Sequence, residues 1–134
     1  MSGKLNLEVL TPEKEAVKQE VDAVYLQGAL GRLGILPQHT ALISTLDFGL
    51  LEITAGGQSE EMLCGKGMVE VTEDRVTVLV SSAERQADID VDRAKAAMDR
   101  AKQRRDSKEE HIDTIKAEAA LYRAVERLRF TGHM

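Results

Sequence analysis

The chain has 134 residues, 43% of them hydrophobic and 31% charged, with a net charge of −5, the size and balance of one soluble domain or a small domain with an appendage. A single cysteine excludes an intrachain disulfide and a cysteine metal cluster, and with 3% aromatics and no tryptophan the core must come from Val, Leu, Ile, Ala and Met. Residues 1–87 carry seven Lys/Arg against thirteen Asp/Glu, and residues 88–134 carry eleven against ten; an acidic front half argues against nucleic acid as a partner, because phosphate binding needs a basic face.

The opening MSGKLNLEVL has neither the apolar core of a signal peptide nor an Arg/Ser-rich transit pattern. No run approaches the ~20 apolar residues that cross a bilayer. The expectation is an intracellular or organellar chain that meets a membrane only through a partner. Leu5, Leu7 and Val9 alternate with polar residues, and so do Val69 and Val71, and Val76, Val78 and Val80; this is the period of half-buried strands. Val21–Leu26 and Leu50–Thr54 are further strand-like runs, and Thr11-Pro12, Gly56-Gly57 and Glu73-Asp74 are turn signals. Short strands at this spacing predict an antiparallel β-sandwich or barrel. Cys64, in EMLCGKG, reads as a buried small hydrophobe at a strand end rather than a reactive thiol.

From Asp90 the period becomes helical. Ala94, Ala97, Met98 and Ala101 recur on one face, followed by a second stripe of Ile112, Ile115, Ala119 and Tyr122 with Leu121, Val125 and Leu128. Ser107-Lys108-Glu109-Glu110 has the capping-box pattern, which predicts that one helix ends near Arg105 and the next starts at Ser107. So short a connection makes the helices antiparallel neighbours. Their alanine-rich contact buries little apolar area, so the pair should be the mobile half of the chain. The expected fold is thus β + α, an antiparallel β-sandwich over residues 1–86 followed by a two-helix hairpin over residues 87–134.

Catalytic signatures are missing. Gly28, Gly31 and Gly34 in GALGRLGILPQH lead into Pro37 rather than a helix with a Lys-Ser/Thr pair, so they fit tight turns between strands better than a phosphate loop. His39, His111 and His133 have no partners at metal-ligand spacing, and no nucleophile elbow or Cys/His pair occurs. The cations Arg100, Lys102, Arg104 and Arg105 read either as a solvated helix face or as a surface for an acidic protein. A hairpin folded about Asp106 sets Arg93 level with Ala119 and groups Arg93, Arg123 and Arg127 near Asp90, with Glu84 just upstream. Asp90 and Glu84 can balance those arginines, Asp90 acting as a helix cap; equally, three guanidinium forks suit a polyphosphate. Spacing leaves both open.

LEVLTPE, GRLGILPQHTALISTL, the GKGMVEV–VTVLV strand pair, AERQADIDVDRAKAAMDRAKQR and ALYRAVERL together resemble the ε subunits of bacterial and chloroplast F-type ATP synthases over essentially the whole chain. One departure is Gly65-Lys66-Gly67-Met68, where that family usually has adjacent glycines and Phe. Gly132-His133-Met134 reads as a ragged tail. The resemblance implies a non-catalytic regulatory and coupling subunit of a proton-translocating synthase, peripheral to the cytoplasmic face of the bacterial inner membrane or the stromal side of the thylakoid. Its partners would be the γ subunit, the c-subunit ring, which the Gly31–His39 loop would face, and the α/β catalytic subunits, whose hydrolysis the extended helices would block. It implies no required cofactor, and ATP as a regulatory ligand of the folded hairpin at Ile89, Asp90, Arg93 and Ala94 of an I/L-D-x-x-R-A motif, at Arg123 and Arg127, and at Glu84 as a further contact. The rival reading is a free-standing ATP-sensing protein that works outside any complex.

Overall fold

The computed structural model describes residues 3–107, 109 and 113–134, arranged as two compact units, Met1–Arg85 and Gln86–Met134. The first holds ten strands: β1 (Leu5–Leu10), β2 (Glu15–Val21), β3 (Ala23–Gly28), β4 (Gly31–Ile35), β5 (Leu42–Leu46), β6 (Gly49–Ala55), β7 (Gln58–Cys64), β8 (Gly67–Thr72), β9 (Arg75–Val80) and β10 (Ala83–Glu84). They form one continuous sheet in the order β10-β7-β6-β3-β5-β8-β9-β1-β2, with β4 beside β3. The sheet wraps around a single core that takes side chains from every strand, among them Leu5, Leu7, Val24, Ile35, Leu51, Met62, Val69 and Val78. Alternation inside and outside follows from the two-residue period of the pleat, and the sequence pattern therefore places these residues correctly.

The pairings are antiparallel except one. β1 lies parallel to β9, with Leu7 beside Val76 and Val9 beside Val78, and antiparallel to β2 on its other side. Alternation is identical for both strand directions, which is why an all-antiparallel sandwich was the expectation. The turn signals have a clear basis. Gly56 and Gly57, with φ of 58° and 78°, and Glu73 and Asp74, with φ of 48° and 62°, are the central pairs of two-residue hairpins; positive φ at both positions gives the twist that the flanking strands require. Asp74 also accepts a hydrogen bond from the Gln38 amide at 2.6 Å, which ties the loop after Pro37 to the β8–β9 turn. Lys4 reaches Asp22 at 2.6 Å, the Gly56 amide donates to the same carboxylate at 2.9 Å, and the Lys4 hydrogen bond leads the causes that hold Asp22 below the usual carboxylate range.

Not all the glycines fit turns. Gly28 and Gly31 close the β3–β4 hairpin, but Gly34 lies within β4 opposite Tyr25, whose ring occupies the space that a side chain would fill. Gly67 marks the closest approach. A Cβ there would meet the Leu79 carbonyl oxygen at 1.9 Å, so the departure at Gly65–Met68 occupies a point where β8 and β9 press together. Because the obstacle is backbone, Gly67→Ala should cost ~1–3 kcal/mol, read as a lower urea midpoint.

Cys64 is 5% exposed. Burial, with the Glu84 charge second, pushes its thiol up to about 12 from an ordinary 9.0. The folded chain holds this proton more tightly than the unfolded one. The thiol's contribution to stability is therefore complete below 9.0 and is lost as pH rises from 9.0 toward about 12. Urea midpoints measured across that window should fall in the wild type and fall less in Cys64→Ala.

Candidate functional site

The second unit opens with a single 3-10 turn, Gln86–Asp88, closed by a hydrogen bond from the Ile89 amide to the Gln86 carbonyl. Ile89 is buried, and Asp90 caps helix α1 (Val91–Arg105). The Asp90 backbone is extended, with φ −80° and ψ 104°; its carboxylate accepts from the Arg93 amide at 3.0 Å and its carbonyl from the Ala94 amide at 3.0 Å. This is N-capping, in which a short polar side chain satisfies an amide that the first turn leaves without a partner.

Helix α2 runs from Thr114 to Phe130, and its cap is Asp113, which accepts from the Lys116 amide at 3.1 Å. The expected start at Ser107 is therefore corrected. The Ser107 hydroxyl receives the Glu109 amide, at 3.2 Å. An aspartate cap six residues later takes the role instead. Lys108, Glu110, His111 and Ile112 lie outside the described residues, and with them the far half of the expected capping box and one member of the second apolar stripe. The other end of α2 is also more ordered than a ragged tail. Gly132 has φ 79° and donates to the Arg129 carbonyl, while the His133 amide donates to that of Leu128 at 2.8 Å, the bond pair of a Schellman cap.

With α1 ending at Arg105 and α2 starting at Thr114, the fold point lies beyond Asp106. Ala94 and Ala101 are buried on α1, and Ala117, Ala124 and Leu128 on α2. An antiparallel alignment that sets Ala94 level with Ala124 also sets Ala101 level with Ala117, since both pairs are seven residues apart. Arg93 then lies level with Val125, between Arg123 and Arg127 and within ~3 Å of each along the axis, rather than level with Ala119. The stripe of Ile115, Ala119 and Tyr122 faces outward, with Ile115 81% exposed, because the buried face is the one carrying Ala117, Ala124 and Leu128.

The six candidate residues of this unit thus divide by role. Arg93 and Arg123 are exposed and Arg127 is half-buried. Asp90 holds the start of α1, and Ile89 and Ala94 are packing residues. Glu84 belongs to the sandwich unit, where it pairs with Leu63 in register on β10 and raises the Cys64 thiol.

Two family models cover the chain. One, described as the beta-sandwich domain of the ATP synthase delta/epsilon chain, matches residues 4–86; the other, its long alpha-helix domain, matches residues 87–132. The chain belongs to the ATP synthase delta/epsilon-chain family. Among its relatives, the ATP synthase epsilon chain of Nitratidesulfovibrio vulgaris (strain DP4) is 42% identical over 133 residues, 99% of each chain. That of Desulforamulus reducens is 43% identical over 129 residues, 96% of this chain and 98% of the relative. Among solved structures, a chain of the Euglena gracilis mitochondrial ATP synthase (OSCP/F1/c-ring) superposes with a TM-score of 0.82 at 21% identity, covering 94% of this chain and 80% of that one. A chain of the Tetrahymena thermophila mitochondrial ATP synthase (central stalk and c ring) gives 0.58 at 18% identity, covering 96% and 94%. Both show the shared fold. Epsilon chains are non-catalytic subunits of the synthase, and among the described residues no helix is long and apolar enough to cross a membrane.

The two caps are open to test. Asp90→Ala and Asp113→Ala should each cost about 1 kcal/mol, seen as faster amide exchange in the first turn of the helix concerned.

Proposed function

We propose that this chain is a regulatory and coupling subunit of a proton-translocating F-type ATP synthase, peripheral to the cytoplasmic face of a bacterial inner membrane. Its sandwich binds the γ subunit and rests on the c ring, and its helices restrain ATP hydrolysis by the catalytic α/β subunits. The observation that carries this reading, in a member of this family, is an apolar row on the outside of the sandwich. Met68 stands directly across from Leu79, and Leu79 beside Leu10; Met68 and Leu79 are exposed, as is Ile43 on neighbouring β5. Leu36, in the Gly31–His39 stretch assigned to the c ring, is exposed as well, and so is Leu30 just before it. Contiguous apolar surface of this kind fits a partner rather than water.

The second part of the proposal is that the folded hairpin binds ATP. Arg93, Arg123 and Arg127 meet the phosphates, while Asp90, through its bond to the Arg93 amide, fixes the helix start from which Arg93 projects. Support comes from the buried alanines: an alignment of Ala94 with Ala124 would set the three arginines at one level of the hairpin. ATP favours the folded hairpin to the extent that it binds that state better than an extended one. A tenfold shift needs a differential affinity of ~1.4 kcal/mol. In the extended state the basic helices meet acidic segments of the catalytic subunits.

Calorimetric titration of the full chain with ATP should give binding in the micromolar-to-millimolar range that Arg93→Ala abolishes. No heat at several-millimolar ATP would remove the nucleotide and leave Asp90 and Arg93 as a capped helix start. Co-purification with γ and c subunits tests the coupling role separately, and a partnerless chain would favour the free-standing sensor.

A further inference from the structure

One side chain joins the two ends of the helical unit. The last four carbonyls of an α-helix have no partner within it, and in α2 these belong to Arg127, Leu128, Arg129 and Phe130. Residues just beyond the helix take the first three. The Thr131 amide donates to the Arg127 carbonyl at 3.1 Å, that of His133 to Leu128 at 2.8 Å and that of Gly132 to Arg129 at 3.0 Å. The Thr131 hydroxyl adds a bond to Arg127 at 2.9 Å. Phe130 is closed from elsewhere. Its carbonyl accepts from the Gln86 side-chain amide at 2.7 Å, across 44 residues of chain.

Gln86 is itself anchored at the entrance to α1. It opens the 3-10 turn before the Asp90 cap, and its own carbonyl accepts from the amide of buried Ile89. Facing a carbonyl, its side chain must present the N–H group, and that donor meets the negative end of the α2 dipole. The bond therefore ties the start of α1 to the end of α2, and it can exist only while the two lie side by side. It sits at the surface, so when the helices part both groups pass to water and neither is left buried without a partner.

We propose that Gln86 is the latch of the hairpin, and that its bond to the Phe130 carbonyl sets how often the helices part. The contact it supplements is made largely of alanines, which bury little apolar area, so one bond is a sizeable share of what holds the pair. The net value of a neutral hydrogen bond corresponds to a roughly two- to fivefold change in the open fraction. The latch acts whether or not a nucleotide is bound. Its consequence for ATP hydrolysis rests on the reading of the chain as a restraining subunit: a weaker latch leaves more helices extended, and so restrains hydrolysis more.

The test places a reporter thiol at the helix contact of the full chain, Ala124→Cys in a Cys64→Ala background. Ala124 is 2% exposed, so N-ethylmaleimide reaches the thiol when the helices part, and the labelling rate follows the open fraction. Gln86 is exposed, and circular dichroism checks that each variant keeps its helices. Gln86→Ala should label roughly two- to fivefold faster. Gln86→Lys, which keeps a donor and suits the helix end, should label no faster than the parent. Equal rates in the parent and Gln86→Ala overturn the latch, and so does Gln86→Lys labelling as fast as Gln86→Ala. Faster labelling of Cys64 in an otherwise native Gln86→Ala chain also overturns it, because the sandwich would then have loosened as well. Assembled into the synthase, Gln86→Ala should lower ATP hydrolysis by a similar factor; faster labelling with unchanged hydrolysis upholds the latch and overturns the restraining role.

Discussion

The contact between two alanine faces is the constraint on which the helical unit depends. Ala94 and Ala101 on one helix, and Ala117 and Ala124 on the other, let the backbones approach closely, and their spacing fixes which residues come level. The same smallness limits its strength. At roughly 25 cal/mol per Å², methyl groups contribute little, and Leu128 is the one large side chain among those fully buried in the pair. Specific alignment and weak attachment thus have one cause, and both are what a reversible hairpin requires.

The sandwich works the other way. Its core is built mainly from large aliphatic side chains, its hairpin turns at Gly56-Gly57 and Glu73-Asp74 have positive φ, and Gly67 lets β8 and β9 press against each other. A body this well determined can carry an apolar row on its outer surface without that row collapsing inward, because alternate positions on the same strands already fill the core. Large-side-chain packing in one unit and small-side-chain packing in the other are separated along the chain at the point where the hydrophobic period changes.

How much of this was legible in the sequence depends on range. Strands with strict alternation, such as Leu5–Val9 and Val76–Val80, declare which side chains enter the core, and so do turn pairs such as Glu73-Asp74. The parallel pairing of β1 with β9 could not be read, since alternation carries no direction. Local signals also compete. Ser107 and Asp113 both have the chemistry of a cap, and the choice of Asp113 follows from where the two alanine faces align, which is a property of both helices together. Ile115 and Tyr122 are exposed, and an alignment of the buried alanines would set Arg93 level with Val125 rather than Ala119. The capping role of Asp90 toward the Arg93 amide was visible from spacing; the grouping of Arg93 with Arg123 and Arg127 is an expectation that depends on how the two helices align.

The two caps have a mechanical consequence. Asp90 bonds to an amide of α1, and Asp113 to an amide of α2, so neither cap borrows anything from the other helix. The Schellman bonds at Gly132 are likewise made within α2 and the residues that follow it. When the alanine faces part, each helix keeps both its first-turn bond and its length. In the proposed opening the two helices would part as finished rods, and neither would have to melt and be rewound for the unit to change shape.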